Sequence, residues 1–157
     1  MRKRIISPSQ PESIMAEPDW LNLDRLAEVE VSSEDPDFPI ESALLPGLND
    51  GWRASEAGKQ TIRLIFTEPQ SLFRIRLEFV ETEIERRQEY VLRWSADAGQ
   101  TFQEIVRQQW NFSPTGSTQE IEDYRIELNQ VGILELSIDP DGNDGQAIAS
   151  LARLQLA

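Results

Sequence analysis

The sequence predicts an all-β fold, an antiparallel β-sandwich of jelly-roll type with about eight strands. Three observations predict it. From Gln60 onward apolar residues recur at every second position with charged residues between them, the period of half-buried antiparallel strands. These runs are separated by stretches rich in Gly, Pro, Asn, Asp and Ser, which supply turns. No long segment shows the helical period of an amphipathic helix. A closed barrel is the alternative arrangement of the same strands.

The elements follow in order. Residues 1–18 hold Pro8, Pro11 and Pro18 among Ser and Glu, a composition that buries little, and are expected as a flexible arm. Residues 19–157 form one β-sandwich domain. Trp20 to Leu26 reads as a short helical turn capped by Asp19, or as an extended lead-in. Ala27 to Ser32 alternates as a strand, Ser33 to Pro39 is an acidic loop, and Pro46-Gly47 with Asn49-Asp50-Gly51 marks a second loop. Ile62, Leu64 and Phe66 alternate with Arg63 and Ile65; Phe73, Ile75, Leu77 and Phe79 alternate with Arg74, Arg76 and Glu78. Glu81 to Arg87 is charged and reads as a helical turn or a loop. Tyr90, Leu92 and Trp94 form the next strand. It runs into the turn Ser95-Ala96-Asp97-Ala98-Gly99-Gln100-Thr101-Phe102. Ile105 to Phe112, Ile121 to Leu128, Ile133 to Ile138 and Ala149 to Leu156 complete the set.

Composition narrows the function. The chain of 157 residues has neither Cys nor His. Disulfides, thiolate or imidazole metal sites, thiol nucleophiles and the Ser-His-Asp triad are therefore excluded. An enzyme would have to run on carboxylates, Lys59 or Tyr, so a non-catalytic protein is expected. The net charge is −13, and the excess lies from Trp20 onward. Such a body repels phosphate backbones and anionic lipid surfaces, so neither nucleic acid nor membrane is an expected partner. Only Ile5-Ile6 follow Arg2-Lys3-Arg4 before Ser7-Pro8. That is too short for a signal-peptide core, and the expected location is the cytoplasm.

Three clusters carry candidate chemistry. Arg107-Gln108-Gln109-Trp110-Asn111-Phe112-Ser113-Pro114 gathers the groups that sugar sites use: aromatic faces for C–H surfaces, and amide or Arg groups for hydroxyls. On a strand, Arg107, Gln109 and Asn111 share one face and Gln108, Trp110 and Phe112 the other. The alternative is that the aromatics are core. Asn49-Asp50-Gly51-Trp52-Arg53 lies in a loop where Trp52 would stack on a ring and Arg53 would offer a forked hydrogen bond. The alternative is a tight turn with Trp52 plugging the sandwich. Asp139-Pro140-Asp141-Gly142-Asn143-Asp144-Gly145 has the oxygen-rich, Gly-containing character of a calcium loop, without the Glu or helices of an EF-hand. A solvated turn is its alternative. Glu81, Glu83, Glu85 and Glu89 show no spacing that marks a hydrolytic carboxylate pair.

The Ser95-Asp97-Gly99-Phe102 turn, together with Asn49-Asp50-Gly51-Trp52 and the strands Thr61 to Phe66 and Phe73 to Leu77, resembles the galactose-binding-like β-sandwich. That fold includes discoidin and coagulation-factor 5/8 type C domains. The likeness covers roughly residues 27–157. It implies a binding module, with ligands held by loops at one end and a possible structural calcium near Asn49 and Asp50. Trp52 to Ile62 is also similar to the N-terminal domain of a eukaryotic single-strand-break repair scaffold of this fold, which acts through protein contacts and damaged DNA. The full chain resembles a bacterial family without established role, through Val31-Ser32-Ser33-Glu34, Gly51-Trp52-Arg53-Ala54 and Arg107 to Pro114. The expectation is a non-catalytic carbohydrate-binding module using Trp52, Arg53, Arg107, Gln109 and Asn111. The alternative is an intracellular module that contacts another protein through its acidic surface.

Overall fold

The computed structural model describes residues 19–142 and 145–157. The arm expected over residues 1–18 lies outside the described residues, as do Asn143 and Asp144. Two helical turns and eight strands follow in order: α1 (Leu23–Leu26), β1 (Ala27–Val31), α2 (Glu41–Leu44), β2 (Trp52–Ala57), β3 (Gln60–Val80), β4 (Arg86–Ser95), β5 (Gln103–Phe112), β6 (Gln119–Asp139), β7 (Ile148–Leu151) and β8 (Arg153–Leu156).

β3 and β6 organise the sandwich. Each is 21 residues long, and the two pair with each other along two successive ladders. Residues 60–65 pair with 133–138, whereas residues 72–80 pair with 119–128. Between these two ladders the register shifts repeatedly. Pro69 there has no N–H to give a ladder, and on β6 Gln130 takes a left-handed φ of 62°. One six-stranded sheet runs β1-β3-β6-β4-β5, with β8 pairing along the far half of β3. β2 and β7 form a two-stranded ribbon.

The expected alternation fills the space between the sheets. Ile62, Leu64, Leu77, Phe79, Leu92, Leu134, Leu136, Ile138, Leu154 and Leu156 are all buried. Phe73 departs from it and is 54% exposed. The N–H groups of Phe73 and Arg74 both donate to the Ala157 carbonyl, a bulge that gives Leu72 the inward place and turns Phe73 out. α2 was not foreseen; it has no helical period of its own and is held by burial of Ala43 and Leu44. The expected loop at Trp52-Arg53 is instead the start of β2.

The outer face of the larger sheet carries a row of alternating charge. Glu30, Arg63, Glu135, Arg93 and Glu104 are successive register partners on β1, β3, β6, β4 and β5. Glu135, only 2% exposed, accepts from Arg63 Nε at 2.7 Å and from Arg93 Nη2 at 2.6 Å. Burial pushes its carboxyl up, but the two guanidinium groups outweigh that and hold it below the ordinary carboxylate value. The Phe102 ring packs against both arginines, 4.5 Å from Arg93 and 5.8 Å from Arg63.

The turn that delivers Phe102 is the one singled out in the sequence. Ala98 and Gly99 both have positive φ, the conformation a tight hairpin turn needs. Ser95 Oγ accepts the Gly99 N–H at 2.9 Å. The Asp97 carboxylate accepts the Thr101 N–H at 2.9 Å and hydroxyls from Thr101 and Ser95. The Thr101 bonds are the main reason its pKa falls to about 2.

Candidate functional site

The strands run between two ends. Ser95 pairs with Ile133 at the hairpin end, and Glu89 pairs with Asp139 at the other. At this second end β3 stops, β4 begins, and a cleft of about 520 Å³ opens between the loop before β2, residues 80–84 and residues 146–152. Its polar lining includes Asn49, Asp50, Arg53, Glu81, Gln146 and Ser150. Sequence reasoning missed its apolar part. Val80, Ile84 and Ile148 line the cleft and are 41%, 45% and 38% exposed. The available signal was two branched aliphatic residues bracketing the acidic stretch at Glu81 to Glu83.

The Asn49-Asp50-Gly51 turn is present, and Gly51 is required twice. Its φ is 73°, and a Cβ there would meet the Leu151 carbonyl oxygen at 2.8 Å. The turn drops Trp52 into the core. Trp52 is 1% exposed, with Nε1 donating to the Ser33 carbonyl at 3.1 Å. This corrects the expectation for Trp52, because a ring so placed has no face to offer a sugar. Arg53 is the exposed next residue on β2, with its guanidinium 4.6 Å from the Phe38 ring centre. That contact preorients Arg53 at the cleft wall and covers Phe38.

Glu81 is braced from behind. It accepts from Arg86 Nε at 2.7 Å and from the Glu83 N–H at 3.1 Å. Burial pushes its carboxyl up, yet these bonds hold it below the ordinary value. Arg86 itself is buried, donates to the Pro140 carbonyl at 2.8 Å and stacks on Phe112.

The β5 cluster lies elsewhere. Arg107, Gln109 and Asn111 share the outward face, and the aromatics follow the core alternative, with Phe112 fully buried and Trp110 packed against the core. Arg107 donates to Glu89 at 2.7 Å and Glu104 at 2.9 Å. Gln109 donates to Glu89 at 2.9 Å and accepts from Arg87 at 2.6 Å. Glu89 is held below its ordinary value, first by Gln109 and then by Arg107. Gln109 and Asn111 line a second, shallower recess with Arg87, Trp110 and Ser117. It shares no lining residue with the cleft, so Arg53 and the β5 residues are not brought into one site.

The loop carrying Asn49 and Asp50 does not fit the calcium that the fold resemblance implies. Arg153 Nη1 donates to the Leu45 carbonyl at 2.9 Å. Its Nη2 donates to the Leu48 carbonyl at 2.7 Å and to Asn49 Oδ1 at 3.1 Å. The oxygens a cation would claim are turned onto a guanidinium, whose charge repels a second positive group. In the other candidate loop, the Asp141 carboxylate accepts the N–H groups of Gly145, Gln146 and Ala147, as a turn would. Among the described residues no cluster of three or more acidic side chains could hold a metal.

No protein-family model matches the chain, and no curated protein matches it. Solved structures do. A Clostridium perfringens module, CpGH89CBM32-5, solved with GalNAc-β-1,3-galactose, is 19% identical with a TM-score of 0.63; the match covers 88% of this chain and 99% of that one. The chain shares the fold of that module, a galactose-binding-like β-sandwich. The family 32 carbohydrate-binding module of C. perfringens NanJ, solved with galactose, is 15% identical over 87% of this chain and 96% of its own, with a TM-score of 0.62. The corresponding module of AlyQ, solved with 4,5-unsaturated mannuronic acid, is 16% identical over 84% and 95%, with a TM-score of 0.57. The galactose-binding-like frame is thus shared at identities where side chains at the loop ends are free to differ.

Proposed function

We propose that this protein is a non-catalytic carbohydrate-binding module whose ligand sits in the cleft beside Arg53. The observation that carries the reading is the cleft's mixed lining. Exposed aliphatic side chains from three segments meet a preoriented guanidinium, amides and a hydroxyl. Sugars present the matching pattern, an apolar C–H surface edged by hydroxyls that both donate and accept. In this arrangement Arg53 donates to a pair of ring hydroxyls, and Gln146 and Ser150 take others. Val80, Ile84 and Ile148 supply the apolar contact that Trp52 does not. The fold likeness to modules solved with galactose and with GalNAc-β-1,3-galactose supports the class of ligand.

The acidic side chains Asp50, Glu81 and Glu83 along the cleft favour a neutral glycan over a uronate, because like charges repel. They do not suit hydrolysis. Glu81 is held ionised by Arg86, whereas a general acid needs a raised pKa. Titration calorimetry against a panel of neutral and acidic oligosaccharides tests the reading. The expected result is binding of a neutral glycan that Arg53→Ala weakens about tenfold or more, the loss of one charge-assisted hydrogen bond. Asn111→Ala should leave it unchanged. Binding that survives Arg53→Ala but fails in Asn111→Ala would move the site to β5. Failure of every glycan would sink the reading.

A further inference from the structure

We infer that Arg153 is a built-in cation that orders the wall of the cleft, so that this module works without a metal. Three acceptors from one loop converge on its guanidinium: the carbonyls of Leu45 and Leu48 and the side-chain oxygen of Asn49. Backbone carbonyls and an amide oxygen gathered around one positive centre are the donors that a hard cation such as calcium attracts. Here the positive centre is covalently attached to β8, which pairs with the far half of β3. The loop is therefore fastened to the sheet by the side chain that neutralises it.

The fastening reaches the cleft directly. Asn49 and Asp50 line it, and Gly51, in the same turn, is pressed against the Leu151 and Ala152 backbone. Arg153 begins two residues after Leu151, so one short segment both grips the loop from below and packs against its turn. Arg153 is then a positioning residue for the cleft, acting through Asn49. A resident cation can be lost to a chelator; a covalently attached guanidinium cannot. The inference deepens the carbohydrate-binding reading as far as ligand recognition is concerned, while loop order and metal independence stand apart from it.

The test uses the full chain. Thermal unfolding is recorded with excess calcium and with chelator, and hydrogen exchange is followed at the amides of residues 47–51. The unaltered protein should give the same midpoint in both buffers. Arg153→Gln should speed exchange of those amides about tenfold or more, as expected when a charged donor is lost from a local opening equilibrium. Arg153→Lys should fall between, because one ammonium cannot match the planar fork. Arg153→Glu should unfold at a lower temperature in chelator and regain stability with calcium, since a carboxylate among the same oxygens completes an all-oxygen cage. A calcium-dependent rise in the unaltered protein overturns the inference, and so does unchanged loop exchange in Arg153→Gln. Absence of glycan binding alongside the expected exchange and calcium results would refute only the carbohydrate reading.

Discussion

Glu120 should make this protein lose stability as the pH rises through neutrality, and replacing it with glutamine should abolish that loss. Glu120 is on the inward face of β6 and 2% exposed, and among the described residues neither of its carboxylate oxygens accepts a hydrogen bond. Burial, and then the neighbouring Glu122 carboxylate, push its pKa up to about 7, against a smaller opposing pull from Arg86. In the unfolded chain the same group titrates near 4.3, about the ordinary value. The unfolded chain therefore releases its proton first. Between about pH 4.3 and pH 7 the folded state holds the extra proton, so stability falls across that window. Above it the full penalty applies, about 3–4 kcal/mol for a difference of this size. Glutamine keeps the shape and never ionises. Urea unfolding followed by tryptophan fluorescence should therefore show Glu120→Gln gaining about 3 kcal/mol on the unaltered protein between about pH 5 and pH 8. For a domain of this length the corresponding shift in midpoint is roughly 6–12 °C. Removing Glu122 should recover part of the gain. A gap between the two proteins that is equal at both pH values would refute the reasoning.

Other expectations follow from the same geometry. Gly51→Ala should destabilise the domain by about 2 kcal/mol or more, from the left-handed backbone and the clash with the Leu151 carbonyl, measured by urea unfolding. Glu135→Gln should cost about 1–3 kcal/mol, because two guanidinium groups lose their shared carboxylate while remaining partly hydrated; the same measurement reads it. Trp52→Phe should lower stability by about 1–2 kcal/mol through loss of the indole bond to Ser33. It should leave glycan affinity unchanged in calorimetry, and a parallel loss of affinity would restore Trp52 to the site. Asp97 titrates at about 2 in the folded protein, below its unfolded value. Its support of the hairpin should be complete above about pH 4 and fade as the pH falls towards 2. Hydrogen exchange at the Thr101 amide should show that loss, and Asp97→Asn should weaken protection already at neutral pH.

The sandwich was legible in the sequence because one side of each strand is wet. Ile62, Leu64 and Phe66 against Arg63 and Ile65, or Leu134 and Leu136 against Glu135, announce both the period and the inward face. Where the period breaks, legibility ends. Phe73 looked inward until a bulge reversed it, and α2 has no pattern because burial of Ala43 and Leu44 forms it. The site was harder. Trp52 and Trp110 have the composition of sugar platforms, but the same rings fill cores, and only three-dimensional packing distinguishes the two. Arg53 could be picked out as a binding side chain, but not its brace on Phe38, fifteen positions earlier in the chain. Val80, Ile84 and Ile148 meet only because β3, the following loop and β7 end together. Arg153 carried no local signal at all, since its partners lie more than a hundred positions away.

The two long strands bear on how the chain reaches this structure. Because β3 and β6 are joined by two successive ladders, neither ladder can be completed without committing both strands to the other. Val80 against Gln119 closes a loop of moderate length, whereas Gln60 against Ile138 joins positions 78 apart in the sequence. Ladders of such wide separation make for slow folding, since ordering must precede the contacts that reward it. They also predict that the domain assembles and comes apart in a single step, with no half-sandwich populated in between.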